Sequence, residues 1–255
     1  MRYGLIGEKL GHSYSKVIHE KLADYTYDLI PLDSEEFEKF MVEKDFTAIN
    51  VTIPYKQKVI PYLDELHKTA KAVGAVNTIV NNQGFLIGYN TDFYGFEYML
   101  IHNNIVIEGK KCLVLGNGGA ARAVVAVLEY LKAGEILIVS RSASESTISY
   151  EECYQNHTNS DIIINTTPLG MYPNIDGSPL DLTTFKKCQA VVDLIYNPID
   201  TKLTLQAQDL GIKSVTGLLM LVAQAKQAIE YFLGTTLSDE GILGIYDELV
   251  SKQNK

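Results

Sequence analysis

In the second half of the chain, short continuous apolar runs alternate with longer stretches of helical spacing. Lys111–Leu115, Ile136–Val139, Asp161–Asn165, Ala190–Leu194 and Lys213–Val215 are the short runs. Such runs, with no strict polar alternation, predict strands buried on both faces of a parallel sheet. Between the first two, Ala123–Leu131 places its apolar residues at helical intervals, and repeated strand–helix alternation predicts an α/β domain. The first 110 residues are patterned differently. They predict strands at Tyr3–Ile6, Tyr27–Pro31 and Ala48–Ile53, the last closed by Pro54. One helix is predicted after the polar turn Gly11–Ser15, another over Glu35–Glu43 with Phe37, Phe40 and Met41 inward. A hairpin joins Thr78–Val80 to Phe85–Gly88 through Asn81–Gly84. The pattern as a whole predicts two α/β domains with an interdomain cleft.

At the first of the later strands the chain reads CLVLGNGGAAR, with Gly116, Gly118 and Ala121 spaced as G-x-G-x-x-A. The first glycine permits the tight turn and the second lets backbone approach a pyrophosphate. The small third residue lets helix and strand pack closely, and the helix N-terminus offers unpaired N–H groups to the anion. The strand before and the helix after turn a weak pattern into an expected dinucleotide site.

Composition narrows the class further. The chain has 255 residues, 46% hydrophobic and 21% charged, as in ordinary globular proteins. No apolar stretch reaches the roughly 18 residues of a membrane span, and MRYGLIGEKLGHS lacks a signal-peptide pattern. Three widely spaced cysteines, Cys112, Cys153 and Cys188, argue against a disulfide framework and for a reducing compartment. A formal net charge of −9 with no basic stripe argues against nucleic-acid binding. The five histidines show no metal-ligand spacing, so no metal is expected. A cytoplasmic enzyme acting on a small molecule is the expectation.

Three polar clusters stand at predicted strand ends. In Gly11-His12-Ser13-Tyr14-Ser15, two hydroxyls two residues apart share a face and could bind one ligand group if the segment is extended, while serine is also a favoured helix cap, the commoner role for such a residue. In Asn50-Val51-Thr52-Ile53-Pro54-Tyr55-Lys56, Asn50 and Thr52 share a strand face and Lys56 follows the proline, where a lysine can be a proton donor or a solvated surface charge. In Gly88-Tyr89-Asn90-Thr91-Asp92, Asp92 and Asn90 suit an Asx turn or helix cap as well as a site. Asn77, inside the apolar run AVNTIV, needs buried partners, and a ligand hydroxyl is one candidate.

Taken together, GHSYS, NVTIPYK, GAVNT, GYNTD, GNGGAAR, NTTPLGM (165–171) and GLLMLVAQA (217–225) resemble the shikimate dehydrogenase family, in the family's own order. The resemblance implies a substrate domain followed by a Rossmann-like domain, and NADP-dependent interconversion of 3-dehydroshikimate and shikimate in aromatic amino acid (chorismate) biosynthesis. It implies a discontinuous substrate domain, 1–102 plus 217–255, and an NADP-binding domain, 103–216. Lys56 and Asp92 would be the catalytic pair. Ser13 and Ser15 would hold the substrate carboxylate with Tyr196 nearby, and Thr52, Asn77, Asp92 and Gln224 would hold the ring hydroxyls. Gly116, Asn117, Gly118, Gly119, Ala120 and Ala121 would take the pyrophosphate, with Asn165, Thr166, Thr167, Met171 and Gly217 along the cofactor. Family members occur as monomers and homodimers.

This chain departs from the family after Val139. Ser140-Arg141-Ser142 stands where Asn-Arg-Thr is usual. Arg141 suits a 2′-phosphate and no acid ends the strand, which favours NADP, whereas Glu145 in ASES leaves NAD possible. If Thr147–Ser149 is the next strand, only residues 142–146 precede it, too few for a crossover helix. Weakened cofactor binding with intact chemistry is expected. The serine pair favours shikimate over quinate. Competing readings are a quinate/shikimate dehydrogenase using NAD, a methylene-tetrahydrofolate dehydrogenase, and a non-catalytic shikimate or quinate sensor, which would not need the Lys56–Asp92 pair.

Overall fold

The computed structural model describes residues 2–11 and 14–253. It divides into two compact units, one of Met1–Gly95 with Leu221–Asp247, the other of Phe96–Met220 with Glu248–Lys255.

In the first unit the elements are β1 (Tyr3–Gly7), α1 (Tyr14–Leu22), β2 (Tyr27–Pro31), α2 (Ser34–Glu43), β3 (Ala48–Val51), β4 (Glu65–Leu66), α3 (Lys68–Val73), β5 (Thr78–Asn82), β6 (Phe85–Tyr89) and the start of α4 (Thr91–His102). The strands form one mixed sheet, ordered β2-β1-β3-β5-β6-β4. β1 runs parallel to β2 and β3, while β5 is antiparallel to both its neighbours. Local chemistry explains these elements. Asp33 caps α2 by accepting the Glu35 and Glu36 N–H groups at 2.9 Å, and Glu36 accepts the Asp33 N–H at 2.9 Å. That helix buries Phe37, Phe40 and Met41, the face its spacing predicted. The hairpin turns on Gln83 and Gly84, with φ of 54° and 96°, the left-handed geometry of a tight two-residue loop. β3 ends at Val51 rather than the expected Ile53, because the Tyr55 N–H turns back onto the Thr52 carbonyl at 2.9 Å.

The second unit contains β7 (Lys111–Leu115), α5 (Gly119–Tyr130), β8 (Glu135–Ser140), β9 (Ile148–Ser149), α6 (Tyr150–Asn156), β10 (Ile162–Asn165), β11 (Ala190–Asp193), α7 (Lys202–Asp209) and β12 (Lys213–Thr216). Its sheet is parallel throughout, ordered β12-β11-β10-β7-β8-β9. Ligands of such doubly wound sheets bind beyond the carboxyl ends of the strands, where the winding reverses. Here the reversal lies between β7 and β10. Leu113, Leu115, Val139, Ile163, Val191 and Leu203 form the core on one face. Cys112, Cys153 and Cys188 are free thiols, pushed by burial up to about 12, 11 and 12, so none is poised as a nucleophile.

The link from β8 to β9 is only residues 141–147 and holds no helix. Parallel neighbours ordinarily need a crossover of about a dozen residues. This one manages with fewer because β9 pairs only at Val139↔Ile148 and Ser140↔Ser149, so the chain backtracks just about 7 Å. Hydroxyls knit the turn: Thr147 bonds the Ser142 carbonyl at 3.3 Å and the Ser144 hydroxyl at 2.9 Å.

Two further helices, α8 (Leu218–Leu233) and α9 (Glu240–Gln253), complete the chain. The expected domain boundaries, 102/103 and 216/217, differ from the divisions at 95/96 and 220/221. These divisions fall within α4 and α8, continuous rods that offer no linker for a boundary to occupy. In the first unit, Lys226 of α8 is buried with its ammonium between Glu230 (2.9 Å) and Asp239 (2.8 Å). Burial pulls its pKa down, but those two hydrogen bonds outweigh burial and hold it above the usual lysine range. Among the described residues, no helix is long and apolar enough to cross a membrane.

Candidate functional site

In the first unit Lys56, Asn77 and the 90–92 segment come together at the start of α4. Tyr55 is fully buried, stacked on Phe37 at 4.2 Å, with its hydroxyl donated to the Leu32 carbonyl at 2.7 Å. That anchor fixes the backbone of the next residue, Lys56, whose carbonyl accepts the Val76 N–H at 2.8 Å. The Lys56 ammonium donates to Asp92 Oδ2 at 2.6 Å, with the two side chains 26% and 17% exposed. Asp92 lies in the first turn of α4, where the helix dipole favours a carboxylate. Asn90, not Asp92, caps the helix: it accepts the Phe93 N–H at 3.2 Å and donates to the Ala75 carbonyl at 3.0 Å.

Asn77 is 3% exposed and does not depend on a ligand for its partners. Its Oδ1 accepts the Thr91 N–H at 2.8 Å and the Thr78 hydroxyl at 3.0 Å, and its Nδ2 donates to the Thr91 hydroxyl at 3.1 Å. Thr91 also donates to Gln224 Oε1 at 3.2 Å, and Gln224 Nε2 donates to the Leu221 carbonyl at 3.1 Å. Thr91 thus joins two amides that lie far apart in the chain. One N–H of each amide is left over by these bonds. Beneath them, Asn50 is buried, accepting the Tyr27 hydroxyl at 2.7 Å and donating to the Thr78 hydroxyl at 3.0 Å. Asn50 therefore serves the core, and Thr52, half-buried past the strand end, does not share a strand face with it.

Of the serine pair, Ser15 belongs to the first turn of α1, so its segment is helical rather than extended. His12 and Ser13 lie outside the described residues. Asn90 takes the helix-cap role its position suggested, whereas Thr91 and Tyr55 had no role from the sequence. Both sit inside the motifs, but a threonine and a tyrosine beside more reactive groups carry no chemical signal of their own.

The second group of candidates gathers beyond the carboxyl ends of β7 and β10. Gly116 has φ of 100°, and a Cβ there would stand 2.9 Å from Thr166 Oγ1 and 3.0 Å from Thr167 Cγ2. Thr166 ties the two strands together by donating its N–H (2.9 Å) and hydroxyl (2.7 Å) to the Leu115 carbonyl. Gly118 begins α5 without any side-chain cap, and a Cβ on Gly118 or Gly119 would meet nothing within 4 Å. Asn117 and Ala120 are exposed on this turn, while Ala121 is buried against the sheet. The positive φ, the free helix N-terminus and the open approach fit a pyrophosphate. Asn165 and Thr167 are hydrogen-bonded to each other at the same edge. Met171 is exposed nearby in sequence, and Arg141 is exposed just past β8. Gly217 is buried, its N–H given to the Ile195 carbonyl at 3.0 Å, with no room for a side chain against the Leu194 carbonyl. Tyr196, half-buried, follows β11 in this unit. Gly116→Ala is expected to cost about 1–3 kcal/mol, through both backbone strain and the Thr166 contact. Urea denaturation measures this, and an unchanged midpoint would contradict the constraint.

Comparison with known proteins adds independent weight. Residues 5–79 match the family model of the shikimate dehydrogenase substrate binding domain. A Clostridium perfringens protein named shikimate dehydrogenase (NADP(+)) is 42% identical, with 97% of each chain covered. A chorismate mutase/shikimate 5-dehydrogenase fusion protein from Clostridium acetobutylicum has a similar structure, with a TM-score of 0.93 at 37% identity, covering 99% of this chain and 98% of that one. Shikimate 5-dehydrogenase from Thermus thermophilus, solved in complex with NADP(H) and shikimate, gives a TM-score of 0.85 at 27% identity, covering 97% and 99%. With the mixed sheet, the doubly wound sheet and relatives this similar over nearly their whole length, the chain belongs to the shikimate dehydrogenase family.

Proposed function

We propose that the protein catalyses the reversible NADP-dependent reduction of 3-dehydroshikimate to shikimate, with Lys56 and Asp92 as its catalytic pair. The observation that carries this is the 2.6 Å contact between a partly buried ammonium and a helix-start carboxylate, beside amides with N–H groups to spare. When bound, NADPH supplies the hydride. Lys56 gives a proton to the oxygen of the reduced ketone and takes it back in the reverse direction. Asp92 holds Lys56 in place and accepts a hydrogen bond from the neighbouring ring hydroxyl. The remaining N–H groups of Asn77 and Gln224 donate to hydroxyls, with Thr52 on the same ring. Ser13, Ser15 and Tyr196 are assigned to the substrate carboxylate on family resemblance.

For the cofactor, the uncapped start of α5 and the Gly116–Ala121 turn take the pyrophosphate. Asn165–Thr167, Met171 and Gly217 line its course, and Arg141 pairs with the 2′-phosphate. Arg141→Ala is expected to raise the KM for NADP by about tenfold or more, the cost of one charge-assisted contact, with little change for NAD. Equal effects on both cofactors would remove Arg141 from this role. The seven-residue turn after Ser140, with Glu145 in it, replaces a crossover helix, so NADP is held more loosely than in relatives that keep the helix.

Initial rates of NADP reduction with shikimate, beside quinate and NAD, test the function. Preference for shikimate and NADP supports it. Binding of shikimate without turnover in any combination would make the protein a sensor.

A further inference from the structure

Asp193 is a buried carboxylate that the proposed chemistry does not use. It ends β11 and is fully buried, and its hydrogen bonds run along the edge of the sheet. Oδ1 accepts the Asn165 Nδ2–H at 2.9 Å and the Ile195 N–H at 3.0 Å, while Oδ2 accepts the Thr201 hydroxyl at 2.8 Å. Asn165 lies directly across from it at the end of β10, and is also fully buried. An asparagine has one donor end and one acceptor end. With Nδ2 committed to Asp193, Oδ1 faces Thr167, whose N–H (3.0 Å) and hydroxyl (2.7 Å) both donate to it. The reversed amide would set two donors against the Thr167 N–H. Thr167 in turn backs the glycine turn, since its methyl limits the space behind Gly116.

We propose that Asp193 is a positioning residue for the cofactor, fixing the Gly116 turn through Asn165 and Thr167. This rests on the assignment of Gly116–Ala121 and Asn165–Thr167 to the dinucleotide. What the relay needs is an oxygen at Oδ1, not a charge. Burial pushes the Asp193 carboxyl up to about 6, against the opposing pull of the bonds from Ile195, Thr201 and Asn165. The protonated form keeps the relay, because the Thr201 hydroxyl can accept a hydrogen bond from a proton on Oδ2, as it already accepts the Thr204 N–H at 3.3 Å. Asp193→Asn reproduces that form. Asp193→Ala removes the relay, and Asp193→Ser keeps a hydroxyl for the local Ile195 N–H while falling short of Asn165.

The test combines NADPH and shikimate titrations with hydrogen exchange of the 164–168 segment in cofactor-free protein. Asp193→Ala and Asp193→Ser are expected to raise the NADPH Kd by about tenfold or more, to speed exchange at 164–168 and to leave the shikimate Kd unchanged. Asp193→Asn is expected to stay within about threefold of wild type in all three. Should the alanine variant fail to fold, the serine variant decides. Wild-type exchange and NADPH affinity in Asp193→Ser overturn the positioning role and leave the cofactor assignment standing. Faster exchange with unchanged NADPH affinity overturns the assignment of this edge to the cofactor, and the proposal with it. Loss of NADPH binding in Asp193→Asn equal to that in Asp193→Ser overturns the claim that an oxygen suffices.

Discussion

Replacing Lys56 with alanine is expected to lower kcat by about 10²- to 10⁴-fold, the usual contribution of a positioned general acid or base. The shikimate KM is expected to change far less. The asymmetry follows from geometry: Lys56 is held by Asp92 and by its own backbone bond to Val76, whereas the amides of Asn77 and Gln224 are held by Thr91. Removing the ammonium therefore leaves the hydroxyl-binding amides in place. An interaction made only in the transition state appears in kcat, and one made equally in the bound complex appears in KM. Steady-state kinetics in both directions measure the split. Comparable losses in kcat and in shikimate affinity would contradict a proton-transfer role for Lys56.

Acidification is expected to destabilise the protein through His19. This ring is 1% exposed, stacked on Tyr27 at 4.0 Å and within 2.7 Å of the Tyr25 hydroxyl through Nδ1. Tyr25, Tyr3 and Phe232 complete an aromatic surround, and His19 Nε2 is buried without a hydrogen-bond partner. Burial lowers the pKa from 6.5 to about 3. The unfolded chain therefore binds this proton more readily than the native one. Stability is intact above about pH 6.5 and falls as pH drops from there toward 3, by about 2 kcal/mol at pH 5 and about 5 kcal/mol in all. His19→Phe keeps the stacking and removes the proton site. Urea denaturation at pH 7.5 and pH 5 is expected to show a smaller acid loss in the variant by about 2 kcal/mol. Identical acid losses in the two proteins would place the sensitivity elsewhere.

Much of the fold was legible because its signals are local. The continuous apolar runs at Lys111–Leu115 and Ile162–Asn165 mark buried strands, and the glycines after Leu115 mark the turn that the doubly wound order requires. β4 was not legible: two residues, Glu65–Leu66, are too short to show a period. The serine pair left an extended segment and a helix cap both open, because a hydroxyl suits either, and Ser15 lies in the first turn of α1. Within the site, Lys56 and Asp92 stood out only through the surrounding motifs, since a lone lysine is ordinarily a surface charge. Thr91 and Asp193 stayed silent for another reason. Their importance lies in contacts made across long stretches of chain, Thr91 to Gln224 and Asp193 to Asn165, and no local pattern encodes such a pairing.

The most direct test of the function is the fate of the hydride. The protein would be given 3-dehydroshikimate and NADPH deuterated at both C4 positions, and the product analysed by mass spectrometry and NMR. One deuterium on the carbon that carried the ketone, in product identified as shikimate, is the result predicted. No shikimate, or shikimate without deuterium at that carbon, would contradict the assignment of this chemistry to the protein.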